Sequence, residues 1–306
     1  MTGAAGRTAW EHGRFDARVG TGRVLFGRMY EDAAIERAAF PPGGRVMCIA
    51  SAGCTTMALA PDHEVVAVDI NPVQLGYAAH RLAGGRGAPG TAERLMDVGR
   101  LCAPLLGWTP PRLRTFLDLE DPAEQAEYWR RHLDTWRFRA AMDGLLSLTA
   151  LRGVYAAQFL DFLPRNLGGV MRGRLARGFA RHPNRHNPYA RALLLGELPD
   201  AAVGTQAGSV RLVHADAADF LERQPRGSFD GFALSNILDG AAAGYGRRLF
   251  AAVAHAAAPE ARMVLRSFRE ASRGHGANRA AEDRAMLWGI VDVRPVSELA
   301  EAPLPA

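Results

Sequence analysis

The chain has 306 residues, 48% of them apolar and 23% charged. That is room for one large domain or two modest ones of ~100–200 residues, with enough apolar side chain to exclude disorder as a global description. All 37 residues of the Lys+Arg count are arginine, which excludes Schiff-base lysine chemistry and the P-loop type of nucleotide hydrolase; the net charge of +5 in so Arg- and Ala-rich a chain reflects a GC-rich genome more readily than a polyanionic partner, so no nucleic acid is expected.

Three cysteines, Cys48, Cys54 and Cys102, are too few and too irregularly spaced for a disulfide framework or a Cys-based zinc site, and they suit a reducing, cytoplasmic compartment. No run approaches the ~18 apolar residues of a membrane span, and the N-terminus lacks the apolar core of a secretory signal, so no integral membrane segment is expected.

Residues 1–42 read as a helical cap ending at Pro41–Pro42. Apolar runs at Arg45–Ser51 and Glu64–Asp69 have the character of buried parallel strands. Helix-compatible segments follow them at Thr55–Ala60 and Pro72–Leu82, and Pro72 suits a first helical turn, where its missing N–H costs nothing. Residues 84–207 are too long for a loop. They repeat apolar side chains at helical spacing in Leu95–Leu106, Trp129–Leu146 and Leu148–Leu163, between prolines at 110, 111, 164, 183 and 188, which predicts a helical insertion on the acceptor side of the sheet's ligand edge. Strands resume at Ser209–His214, Phe229–Ser235 and Arg262–Ser267, with helices expected at Tyr245–Ala258 and Asn278–Leu287. The alternation predicts one α/β domain, a doubly wound Rossmann-like sheet made from residues 43–83 and 208–306.

Open α/β sheets bind ligands at the carboxyl ends of their strands. The small-residue turn Ala50, Ser51, Ala52 and Gly53 lets a ligand approach the backbone, but it lacks the full G-x-G-x-x-G pattern, which disfavours NAD or FAD. Asp69 ends the next strand about 18 residues on, where an acid can accept both ribose hydroxyl protons. Its alternative reading is a cap for the helix that begins near Pro72. Asp216, after the third strand, is placed to reach an adenine amino group, and Ser235 and Asn236 after the fourth form a cleft floor. Together these make the layout of an S-adenosylmethionine site.

The segments FGRMYEDAAIE, VMCIASAGCTTMALAPDHEVVAVDINPVQLGYAAHRL, NPYARALLLGELP and FDGFALSNILD resemble the diacylglyceryl-homoserine synthases, the S-adenosylmethionine:diacylglycerol 3-amino-3-carboxypropyltransferases. The similarity runs from about Phe26 to Ser267. It implies a class I S-adenosylmethionine-dependent fold with S-adenosyl-L-methionine as co-substrate. It also implies cofactor contacts from Ser51, Ala52, Gly53, Asp69, Ile70, Asn71, Gln74, Asp216, Ala217, Ser235 and Asn236. The reaction implied is transfer of the aminocarboxypropyl arm, leaving methylthioadenosine. The chain is shorter than such lipid enzymes and shows no evident amphipathic anchor. That favours a soluble member like isonocardicin synthase of antibiotic biosynthesis, with a small-molecule hydroxyl as acceptor, over diacylglycerol. An ordinary methyltransferase on the same fold stays open, as does a non-catalytic basic binding module, which the Asp69 and small-turn pattern speaks against.

An alcohol or phenol needs a base as it attacks carbon. Glu31 and Asp32 are the first candidates and Asp239 the next, with structural pairing to an arginine as the alternative. Tyr30 is a candidate to orient the donor's carboxylate, or else a core aromatic; Arg266, at the end of the fifth strand, is a candidate to hold that carboxylate, or else a strand-end salt bridge. Residues 165–191 hold seven arginines, His182 and His186, and no acid. They are read as recognising an anionic group, with Arg185, His186, Asn187 and Tyr189 nearest the acceptor, or as a solvated basic face. His182 and His186 do not make a metal pair, because Pro183 breaks the helix that their spacing needs, and no metal is expected.

Overall fold

The computed structural model describes residues 23–152, 160, 163–197, 209–241, 244–271 and 278–300. Its centre is a six-stranded sheet of order β3-β2-β1-β4-β5-β6, with β1 Arg45–Ile49, β2 Glu64–Asp69, β3 Val210–His214, β4 Phe229–Ala233, β5 Ala257–Ser267 and β6 Ile290–Pro295. The first five are parallel, and β6 runs antiparallel to β5, with Ser267 opposite Ile290. The expected Rossmann-like α/β sheet is present, with the chain reversing direction across the sheet between β1 and β4.

Alternation along the strands divides the core by face. Met47, Val66, Val68, Phe232 and Met263 pack on one side with Phe220, Leu249 and Val253 from the helices Ala217–Glu222 and Tyr245–Ala256. Val46, Cys48, Val65, Ala67 and Val264 pack on the other with Phe40, Leu59 and Ala78. Burial on both faces is why β1 and β2 read as continuous apolar runs.

The insertion folds around an aromatic core of its own. Trp108 stacks on Phe138 with ring centroids 4.2 Å apart, Phe116 meets Phe179 edge-on at 4.8 Å, and Met286 joins them from the segment before β6. Its helices include Thr91–Cys102, Pro110–Leu117, Trp136–Leu145, Leu167–Phe179 and Pro188–Leu195. Of the expected helix Leu148–Leu163, Leu148–Arg152 is seen and much of the rest lies outside the described residues. The expected helix Trp129–Leu146 is interrupted at Asp134 and restarts where the Thr135 hydroxyl caps the amide of Phe138.

Two expectations fail. Asn278–Leu287 is not a helix but a run of turns. Its composition favours helix, but propensity is a weak prior and tertiary contacts prevail. The Asn278 side chain accepts from Ala280 and Val291, Asp283 accepts from the Ala285 amide and turns to Arg266, and Met286 takes a left-handed backbone at φ +62°. The N-terminal cap is helical only over Ala34–Ala39 among the described residues; 23–33 is irregular, and 1–22 lies outside the described part. No helix among the described residues is long and apolar enough to cross a membrane.

Candidate functional site

At the carboxyl ends of β1 and β4, the strands flanking the reversal, two non-glycine residues hold left-handed backbones: Ser51 at φ +41° and Ser235 at φ +52°. Each such residue costs of order ~1–3 kcal/mol, and such strain gathers at functional sites. Gly53 follows at φ +81°, entering the Cys54–Leu59 helix; a Cβ there would meet Ala78 at an ordinary 3.5 Å, so the need for glycine is conformational.

Asp69 ties two turns together. Its Oδ2 accepts from the Ser51 amide (2.8 Å) and its Oδ1 from the Asn71 amide (2.9 Å). Asp69 is therefore not the cap of the Pro72–Leu82 helix; Asn71 is, accepting from Val73 and Gln74. Burial raises the Asp69 carboxyl to about 6 against the pull of the Asn71, Ser51 and Ile70 amides, and of its roughly four lone-pair positions one remains for a hydroxyl donor. Beside it His214 bonds the Ile70 carbonyl (3.1 Å).

A strap made of residues 23–32 crosses this whole edge. The Asn71 side-chain Nδ2 donates to the Arg23 carbonyl, and Gln74 pairs with the backbone of Leu25 and Phe26 like a neighbouring strand. Glu93 accepts from the amides of Gly27, Arg28 and Gly90, and the Tyr77 hydroxyl donates to the Gly27 carbonyl. Met29 N–H points to Cys54 Sγ beside the β1 turn, the Tyr30 carbonyl accepts from Trp288, and Glu31 reaches Ser235. Gly27 is required by packing: a Cβ would lie 2.1 Å from the Ala88 carbonyl oxygen. Gly27→Ala should therefore lift the strap, costing about 1–3 kcal/mol of stability as overpacking does. Hydrogen exchange checks this, with faster exchange concentrated in residues 25–31.

The strap ends in a buried charge cluster. Arg266 is wholly buried; its guanidinium binds both oxygens of Glu36, Oδ2 of Asp283 and the Asp32 carbonyl, with Glu31 at 3.7 Å. It does not face the cleft, and the carboxylate role expected of it is not available. Asp32 is clamped by Arg284 through two hydrogen bonds, which hold its carboxyl below the usual range although burial opposes this. That pairing suits an ion pair rather than a base.

Glu31 differs. It is buried, its Oε1 accepts from the Ser235 hydroxyl, and burial raises its pKa to about 7 against the pull of Arg266 and that hydrogen bond. Asp239 bridges strand ends, accepting from the Ser267 hydroxyl (2.6 Å), the Phe268 amide (3.0 Å) and Asn236 (3.4 Å). Its carboxyl is raised by burial, but it is occupied as a strut. Asp216 caps the Ala217–Glu222 helix and accepts from the Tyr245 hydroxyl (2.8 Å); Ala217 is buried behind it. Tyr30 lies in a small apolar cluster with Ala192 and Ala285, its phenol raised by burial.

The acceptor-side residues divide. Tyr189 donates to the Glu31 carbonyl (2.8 Å), and Asn187, which caps the Pro188–Leu195 helix, donates to the Arg284 carbonyl (2.9 Å), so both fasten the insertion to the strap. Arg185 and His186 are exposed on the outer side, near Glu120, because the turn Asn184–His186 sends Asn184 inward. Four of the seven arginines are paired with distant acids: Arg172 with Asp143, Arg174 with Glu270, Arg185 with Glu120 and Arg191 with Asp118. The local absence of acids thus overstated the basic character of the segment. Glu36, Glu93, Asp283 and Arg284 were missed; the one sequence signal was the acid–base pair 283–284 inside a run read as helix.

Comparison with models of known protein families and with curated proteins gives no match.

Proposed function

We infer that the chain is a transferase that moves the 3-amino-3-carboxypropyl arm of S-adenosylmethionine to a hydroxyl of a small-molecule acceptor, in the manner of the diacylglyceryl-homoserine synthases that its segments resemble. The observation that carries this reading is Glu31: a carboxylate with a pKa near neutrality, bonded to the strained Ser235 at the same edge where Asp69 accepts from the Ser51 amide.

The residues fit the donor. Asp69 has a lone pair left for a ribose hydroxyl, and the Ser51–Gly53 turn allows close backbone approach. A sulfonium presents three carbons open to in-line attack, and orientation decides which one reacts. Glu31 takes the proton of the acceptor hydroxyl, through Ser235 or directly; the acceptor oxygen bonds to the arm, the C–S bond breaks, and its electron pair stays on sulfur. Ser235 orients the carboxylate, and Arg266 keeps its charge tolerable in a buried site.

The test is incubation with S-adenosylmethionine and candidate phenols or alcohols, followed by mass spectrometry. Methylthioadenosine is expected; S-adenosylhomocysteine would mean methyl transfer instead. Asp69→Ala should weaken donor binding by about 1–3 kcal/mol, the usual penalty for stranding buried polar partners, which titration calorimetry reads directly.

A second reading keeps the donor and changes the acceptor to diacylglycerol. It is favoured by Leu95, Val98, Leu101 and Leu105, all exposed along one side of the stretch Thr91–Leu106. Lipid extracts incubated with the enzyme distinguish the two by the mass of the product.

A further inference from the structure

Among the described residues of the strap, one charged side chain has a donor without a partner. Arg28 is half-buried, and its Nη1 is wholly buried without a hydrogen-bond partner. A charged donor left in this state costs free energy, and native proteins seldom retain one without an external acceptor. The nearby groups do not serve it. Glu93 is already occupied by three backbone amides, those of Gly27, Arg28 and Gly90. Arg100, the other cation near the Tyr30 phenol, spends its donors on Asp97, the carbonyls of Ala192 and Leu193, and that phenol. Arg28 and the Tyr30 hydroxyl are within electrostatic reach of each other, and Glu93, which acts on the same phenol, has its oxygens held by the three amides.

Its position gives the missing acceptor a chemical class. Arg28 lies one residue before Met29, whose amide meets Cys54 at the β1 turn, and three before Glu31 at the β4 end. Arg28 thus lies in the strap next to the residue that meets the β1 turn and on the way from the Gln74 contacts to the base. Arginine is suited to a planar, bidentate partner.

We propose that Arg28 receives the α-carboxylate of the donor's aminocarboxypropyl arm and so selects donors that carry it. This rests on the reading of S-adenosylmethionine as donor. The role falls to Arg28 because Arg266 is enclosed by Glu31, Glu36 and Asp283. Arg28 acts by fixing the arm, so that its terminal carbon, rather than the methyl group, faces the acceptor.

The experiment is calorimetry of the full chain and of Arg28→Gln and Arg28→Lys with three probes: S-adenosylmethionine, its decarboxylated form and methylthioadenosine. Arg28→Gln should weaken S-adenosylmethionine by about 10- to 100-fold, the scale of a charge-assisted bidentate contact, while leaving methylthioadenosine within about twofold. Arg28→Lys should recover only part. The wild type should discriminate against the decarboxylated probe by a similar factor, and Arg28→Gln should not discriminate at all. Equal loss for all three probes, or no loss, overturns the assignment and leaves the donor reading standing. If Arg28→Gln does not fold, equal binding of the carboxylated and decarboxylated probes by the wild type overturns it instead. A wild type that binds neither S-adenosylmethionine nor methylthioadenosine refutes the donor reading and this proposal with it.

Discussion

Glu31→Gln should lower kcat by about 10²–10⁴ while leaving donor affinity nearly unchanged, because the amide keeps the shape and the hydrogen bond to Ser235 but takes no proton. Wild-type activity should rise through pH 7, where burial has placed the Glu31 titration and the ionised form becomes dominant. In Glu31→Gln that rising limb should vanish, and with a phenol acceptor part of the lost rate should return at high pH as phenolate forms unaided, near pH ~10. Asp32→Asn is the control: with its carboxylate committed to Arg284, it should lower stability without removing the limb near pH 7. Stability carries the same signature with opposite sense. A carboxyl whose folded pKa exceeds its unfolded value binds more protons in the native state, so stability falls as pH rises from about 4.5 to about 7 through Glu31, and from about 4 to about 6 through Asp69. Glu31→Gln should flatten the first part, read by urea midpoints across that range. If Glu31→Gln keeps wild-type kcat at neutral pH, Glu31 is not the base.

The largest loss of stability is expected from Arg266→Met. Methionine approximates the volume but leaves Glu31, Glu36 and Asp283 without their shared countercharge, and breaking a buried pair in this way costs about 3–5 kcal/mol. The loss should be smaller at pH 5 than at pH 8, since protonated acids no longer need the guanidinium. Arg266→Lys should rescue poorly: one ammonium cannot span Glu36, Asp283 and the Asp32 carbonyl as the fork does. Combining Arg266→Met with Glu31→Gln should cost less than the sum of the two, because they share one network. A double variant that is strictly additive would mean that the cluster is not coupled.

What the sequence revealed follows from how local each signal is. Val65, Val66 and Val68 in β2, or the Asn71–Pro72 helix start, carry their structure in adjacent residues. The turn at Ser51 and the acid at Asp69 were legible for the same reason, being fixed by strand ends. β6 was not, because Ile290–Pro295 is ordered by pairing with a strand that ends 23 residues earlier and follows a run whose composition imitates a helix. The fate of Arg266 was equally invisible. Whether an arginine at a strand end faces solvent or acids depends on Glu36 and Asp283, which lie on opposite sides of it in sequence. The choice between Glu31 and Asp32 needed Arg284, 252 residues from Asp32.

That last separation has a temporal side. Residues 23–32 leave the ribosome well before Asp283, Arg284 and Trp288, which fasten them; Arg284 follows Asp32 by 252 residues. At ordinary elongation rates of about 5–20 residues per second, the interval is on the order of tens of seconds. During it Glu31 and Glu36 lack Arg266 and the groups that enclose them, in a chain whose first strands can already pair. The perturbed acidity of Glu31 is thus acquired only after these distant residues have been made, and a product truncated before them would emerge without it.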